Sequence, residues 1–150
     1  MSASDAFESA MLKLVFNNTT YAGVGDVTGI VGSTGVGSLF MALHTADPGE
    51  AGTQATSEAT YTGYARATII RSTAGWTISG TTPTQSANAA AITFAGCTAG
   101  TNVCTFFSIG NTISGATPIL FSGALTSAIT VSTTQTPPTA AIGAVIVTCD

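Results

Sequence analysis

The sequence predicts an all-β fold, a jelly-roll-like antiparallel β-sandwich of about eight strands preceded by a short N-terminal helix and a glycine-rich arm. Three observations carry this. From Ser38 onward, short runs rich in Val, Ile, Thr and Phe recur at a spacing of roughly 8 to 12 residues, the rhythm of antiparallel sandwiches. Gly, Pro, Asn and Ser clusters punctuate those runs. Finally, 45% of the residues are hydrophobic and only 7% charged, against about a quarter charged in an ordinary domain, so Thr, Ser, Gly and Ala must clothe the surface. Such a surface resists neighbours weakly and suits a protein that works packed against others. A chain of 150 residues holds one domain with a real core. We assign 1–37 to the helix and extended arm and 38–150 to the sandwich.

At the N-terminus, Asp5 and Glu8 stand at capping-box spacing, and Phe7, Met11, Leu14 and Val15 follow on one apolar stripe. This predicts a helix ending near Asn17. So short a helix is marginal alone, and its stripe must lie on the sandwich or on a neighbouring subunit. The stretch from Tyr21 to Gly37 is glycine-rich and nearly uncharged. It lacks the Gly-Lys-Ser/Thr ending of a phosphate loop, the one lysine being Lys13, and it reads as an adaptable arm that orders on a partner.

Strands are predicted over 38–44, 63–71, 75–79, 89–95, 103–109, 118–125, 128–131 and 141–148. The turns between them lie at Thr73-Ala74-Gly75, Thr82-Pro83, Ala99-Gly100-Thr101-Asn102, Ser114-Gly115 and Thr136-Pro137-Pro138. Period-2 alternation turns inward Leu39, Met41, Leu43, Ile69, Trp76, Ile78, Ile92, Phe94, Phe106, Ile109, Ile119, Phe121, Leu125, Ile129, Val131, Val145 and Val147.

The first two strands are joined by a polar loop far longer than a tight hairpin needs. It holds the turn tripeptide Asp47-Pro48-Gly49, then Glu50, Gln54 and Glu58, then Tyr61 and Tyr64 around Gly63. Asp47, Glu50, Gln54, Glu58, Tyr61 and Tyr64 read as fastening residues. The loop is expected to protrude as an attachment element, and its shortening to leave the sandwich folded.

No catalytic set is visible. His44 is the sole histidine, no nucleophile elbow of the G-x-S-x-G kind is present, and the protein is expected not to be an enzyme. Asp47, Glu50 and Glu58 offer oxygen ligands for calcium but lack the spacing of compact calcium loops; Asp47 as a turn cap and Glu50 or Glu58 paired with Arg66 or Arg71 is the plainer reading. A structural zinc site wants four Cys or His ligands, and the four in this chain are spread from His44 to Cys149, so no metal or cofactor is expected. Tyr61, Tyr64 and Trp76 are candidates for a sugar-stacking face, although such rings more often pack a core. Cys97 and Cys104 are a candidate disulfide across a hairpin bend, with idle thiols as the alternative.

Three bases, Lys13, Arg66 and Arg71, against seven acids give a formal net charge of -4, which argues against nucleic-acid binding. No run approaches the roughly 18 apolar residues of a membrane span. The start is acidic ahead of its apolar part and makes a poor signal peptide, so synthesis in a cytoplasm is expected.

The string ALHTADPGE, followed by GTQATSEATYTGYAR, a Gly-Trp dipeptide, an ITF strand and FFSIGNTISGATPILFSGAL, resembles a family of small structural proteins of tailed bacteriophages. That family is often labelled tail-fibre-like and is similar to jelly-roll cement or decoration proteins of capsids. The resemblance implies a virion protein made in the host bacterial cytoplasm, with the major capsid protein or other virion proteins as partners. A capsid cement protein that fastens neighbouring subunits is the leading expectation, and a tail-fibre or tail-tip module that binds a host receptor is the alternative. Low charge predicts self-association, and the resemblance implies a homotrimer.

Overall fold

Ser4 opens the first element from an extended backbone, its Oγ accepting from the Phe7 N–H at 3.4 Å, and helix α1 runs Asp5–Asn17. The cap is therefore Ser4, with Asp5 and Glu8 in the first turn, where their charge suits the helix dipole. Asn18 ends the helix in the left-handed region at φ 54°. The computed structural model describes residues 3–25, 29–81 and 83–149.

The helix buries Glu8, Leu12 and Phe16, not the predicted stripe of Phe7, Met11, Leu14 and Val15. Phe16 and Trp76 are both fully buried with ring centroids 4.6 Å apart, and seating that pair sets the rotation of the helix. Phe7 is left 41% exposed, its ring edge-on to Tyr21 at 5.8 Å.

The remaining elements are strands: β1 Ser38–His44, β2 Ala67–Ile70, β3 Trp76–Ser79, β4 Thr84–Asn88, β5 Ile92–Thr93, β6 Thr101–Gly110, β7 Ile119–Ser132, β8 Thr139–Ala140 and β9 Ile146–Cys149. They form sheets ordered β2-β1-β6-β7, β3-β4-β9 and β5-β8. The ladders β1–β6, β6–β7, β3–β4 and β4–β9 are antiparallel, so among the described residues the fold is all-β apart from one short helix. Several predicted strands change. The 63–71 run shrinks to β2, because the chain before it is held by side-chain bonds and by an isolated bridge between Thr62 and Ala99. The 118–125 and 128–131 runs join as β7, with an irregularity between them: Phe106 pairs with Ala124 and Cys104 with Ile129. The 141–148 run is broken, with β8 before it and β9 at its end. Strand β4 was not expected at all. Its buried positions are Thr84, Ser86 and Asn88, polar residues that leave no apolar alternation to read.

By density of contact the chain forms two compact units. One comprises 1–38, 70–91 and 140–150, so the predicted arm groups with two later stretches of the chain. In it α1 lies on β3 and β4. Arg71 ties the helix end down, donating from Nε to the Val15 carbonyl at 2.6 Å, from Nη2 to the Leu14 carbonyl and from Nη1 to Ser33 Oγ at 3.0 Å. Asn88, 1% exposed, donates to the Ala141 carbonyl at 2.8 Å and accepts from the Val145 N–H at 2.9 Å, which fixes the approach to β9. The second unit comprises 39–69 and 92–139 and carries the four-stranded and two-stranded sheets. Met41, Leu43, Ile109 and Val131 are fully buried there.

Candidate functional site

The long loop after β1 belongs to the second unit and folds back on its sheet. Its lead residue, Asp47, makes a local turn, its Oδ1 accepting from the Gly49 N–H at 2.9 Å with Gly49 at φ 69°. Asp47 and Glu50 are exposed. After them the chain turns inward. The Ala59 N–H donates to the Leu43 carbonyl at 2.8 Å, the Gln54 N–H to the Thr117 carbonyl at 2.9 Å and the Thr62 N–H to the Ala99 carbonyl at 2.9 Å, so the loop is stitched down along its length.

Under it lies a continuous polar network. Arg66 and Glu58 form a two-pronged ion pair, Nε to Oε1 at 2.7 Å and Nη2 to Oε2 at 2.8 Å, with the arginine side chain 2% exposed and the glutamate 17%. The remaining guanidinium protons go to Gln54 Oε1 at 3.2 Å and to the carbonyls of Thr112 at 3.1 Å and Gly115 at 2.8 Å. Glu58 bonding holds the Arg66 pKa above its ordinary value. Tyr64 donates its hydroxyl to Glu58 Oε1 at 3.0 Å and accepts from the Leu43 N–H at 3.0 Å; burial raises its pKa.

Gln54 is completely buried and passes the network on, donating from Nε2 to the Phe40 carbonyl at 2.9 Å and to Ser108 Oγ at 3.4 Å. It reaches this depth because position 110 is glycine: a Cβ there would lie 2.1 Å from Gln54 Oε1. His44 closes the chain, with Nδ1 2.8 Å from the Thr56 carbonyl and Nε2 2.7 Å from Ser108 Oγ. Since a carbonyl only accepts, Nδ1 carries the proton and Nε2 accepts from Ser108. Burial, with help from the Arg66 charge, pulls the His44 pKa below 6.5, against the opposing pull of Thr56 and Glu58.

A histidine 2.7 Å from a serine hydroxyl has the distance of a base and its nucleophile. Here both residues are 0% exposed, and Nδ1 faces a backbone carbonyl where a triad has a carboxylate. The pair braces the loop. Sequence reasoning offered Glu50 or Glu58 with Arg66 or Arg71, of which the structure forms Glu58–Arg66, and it did not offer Ser108 or Gly110; the one signal for Ser108 was its position two residues from Phe106, His44's partner in the β1–β6 ladder and therefore on the same face.

The expected attachment residues thus separate. Asp47 and Glu50 face outward, whereas Gln54, Glu58, Tyr61 and Tyr64 are committed inward. Tyr61 is 4% exposed, donates to the Ala95 carbonyl at 2.9 Å and stands edge-on to Tyr64 at 5.3 Å; burial pushes its pKa up to about 12. Tyr64 also stacks parallel to Phe94 at 6.3 Å. Trp76 belongs to the other unit and is fully buried, so these three rings form no outward stacking face. Removing 50–58 would remove Gln54 and Glu58, so the loop cannot be shortened there at little cost. The two cysteines of the candidate disulfide lie in the same unit. Cys97 and Cys104 are free thiols; Cys97 Sγ is turned to the carbonyls of Ala99 at 3.2 Å and Gly100 at 3.4 Å, while Cys104 is fully buried on β6 and its pKa is raised by that burial.

Among the described residues no three His, Cys, Asp or Glu side chains gather as metal ligands, and no helix is long and apolar enough to cross a membrane. A depression of about 380 Å³ lies beside the ion pair, bordered by Ala55, Tyr64, Ile113 and Gly115. No curated protein matches the chain. A sequence model of one family does match, over residues 2–148, and by that match the chain belongs to the family described as podophage GP4 fiber I protein gp80, a family of tailed-phage structural proteins.

Proposed function

We propose that this protein is a non-enzymatic building block of the phage fibre, held in the virion by contacts with other copies and other virion proteins. The observation that carries this reading is the family match across 2–148, whose description names a fibre protein. The inward commitment of its polar residues supports it: the histidine, the arginine of the ion pair and the loop tyrosines all serve the fold. Within the fibre, the body suits this chain better than a receptor-binding tip, because Tyr61 and Trp76 are buried. Asp47 and Glu50, exposed at the loop's turn, are the residues of the original attachment set left to meet a partner. Trimeric assembly and synthesis in the host cytoplasm are part of this reading through the resemblance alone.

Capsid cement is the second reading, favoured by the uncharged surface of a chain with 7% charged residues. Labelling purified virions with an antibody to this protein separates the two. Gold at the fibres supports the first reading, and gold over the head replaces it with the second.

A further inference from the structure

Helix α1 lies on one face of the sheet β3-β4-β9. Phe16 meets Trp76 there, so the covered face is the one that carries Trp76 and, through the β3–β4 register, Asn88 and Ser86, with Thr84 two residues further along β4. Three polar atoms on this face, Trp76 Nε1, Thr84 Oγ1 and Ser86 Oγ, are buried and bonded to none of the described residues. Trp76 and Ser86 are 0% exposed and Thr84 1%. Asn88, the other polar residue of the row, is fully engaged: it donates to the carbonyls of Ala90 and Ala141 and accepts from the Val145 N–H. Buried polar groups without a partner are costly and rare. Three on one face call for a common partner.

The helix does not supply that partner. Of its buried residues, Leu12 and Phe16 have no polar side-chain atom, and Glu8 bonds none of the three. The sheet leaves room instead. Across the strands Ile78 pairs with Ser86 and Ser86 with Val147, so a short hydroxymethyl group stands between two branched side chains and makes a dip under the helix. Thr84 and Ser86 start about 7 Å apart on the same side of one strand, a span that two hydroxyls and one small molecule between them cover. Trp76 stands opposite Asn88 and diagonal to Ser86, within reach of a long aromatic side chain.

We propose that this face is a binding site for internal water, which accepts from the Trp76 indole N–H and is held by the hydroxyls of Ser86 and Thr84. The chemistry of the three atoms selects that ligand. An indole N–H only donates, whereas a hydroxyl both donates and accepts, so the occupant must offer an acceptor and a donor together. None of the three carries a formal charge, and an ion of either sign would lie here without a counter-charge from them. Buried waters typically make about three hydrogen bonds to polar groups that lack a protein partner, which matches the three atoms on this face.

The site gives the polar inner row of β4 a purpose. Helix α1 is seated by the Phe16–Trp76 contact on one side of the indole and by bound solvent on the other, so the same tryptophan anchors both. The inference holds for a fibre or a head location alike.

Two measurements test it. Trp76 is the sole tryptophan, so its indole proton gives one resonance, and in a rotating-frame Overhauser spectrum of the full chain that proton is expected to show a cross-peak to water with the sign of direct contact. The second is the melting temperature of Ser86→Ala. With water bound, the substitution removes an anchor without filling its place, and the midpoint is expected to fall by about 2–4 °C. Were the hydroxyl simply unsatisfied, its removal would relieve a cost and raise the midpoint. A missing cross-peak in wild type, or a melting temperature of Ser86→Ala that is unchanged or raised, overturns the proposal.

Discussion

His44 ends β1 and hydrogen-bonds the loop that follows through the Thr56 carbonyl, as a strand-end histidine beside a polar loop should. What its sequence neighbours did not suggest is that it is completely buried and held in one tautomer from the other side by Ser108. Its pKa is lowered, so below about pH 6.5 the unfolded chain takes up a proton that the folded chain refuses. Stability is therefore full above that pH and falls as the medium is acidified, by up to about 1.4 kcal/mol per pH unit, until the buried imidazole itself protonates. Denaturant titrations from about pH 8 to about pH 5 should show this slope, and the difference between wild type and His44→Gln should shrink with acidification. A pH-independent difference would refute it. Gly110→Ala tests the depth of the network from another side. Gln54 must withdraw, its bond to Phe40 is lost, and a cost of about 1–3 kcal/mol in the denaturation midpoint follows. The place of Gly110 was not legible beforehand, because a glycine shows nothing in sequence of what approaches it in space.

Elements whose burial is apolar were legible, and those whose burial is polar were not. The run Ser38–His44 was bounded correctly because Leu39, Met41 and Leu43 recur at period 2, although the structure buries Ala42 and His44 on the opposite face as well. Strand β4 pairs with both β3 and β9 and so is the middle of its sheet, yet its inward side is Thr84, Ser86 and Asn88. The helix was found at the right place with the wrong face, since Phe7 and Phe16 compete for burial and only the position of Trp76 decides between them. That contact yields the prediction at this scale. Phe16→Ala leaves a cavity against Trp76 and costs about 3–5 kcal/mol in docking the helix. Limited proteolysis should then cut at Lys13 or Tyr21 well before it cuts the strands, whereas wild type resists at those positions. If both proteins are cut alike, α1 is held by Arg71 and not by the ring pair.

At the scale of the whole chain, three free cysteines in a protein with 7% charged residues mean that the fold relies on burial and the polar network without a covalent brace. Alkylation in denaturant without reductant should label all three thiols, and reductant should leave the melting temperature unchanged. A mass showing one label, with Cys97 and Cys104 unreactive, would restore the disulfide. By itself the sequence determined the all-β class, the N-terminal helix and most of the strand positions, because these depend on local periodicity and on bulk composition; the structural role came only through the family resemblance. Only the tertiary structure decided that the long loop folds inward, that Glu58 and not Glu50 takes Arg66, that Trp76 chooses Phe16, and that β7 ends its sheet. Each of those outcomes depends on which residues far apart in the chain meet in space, and a burial pattern read along one strand holds no information about what lies across it.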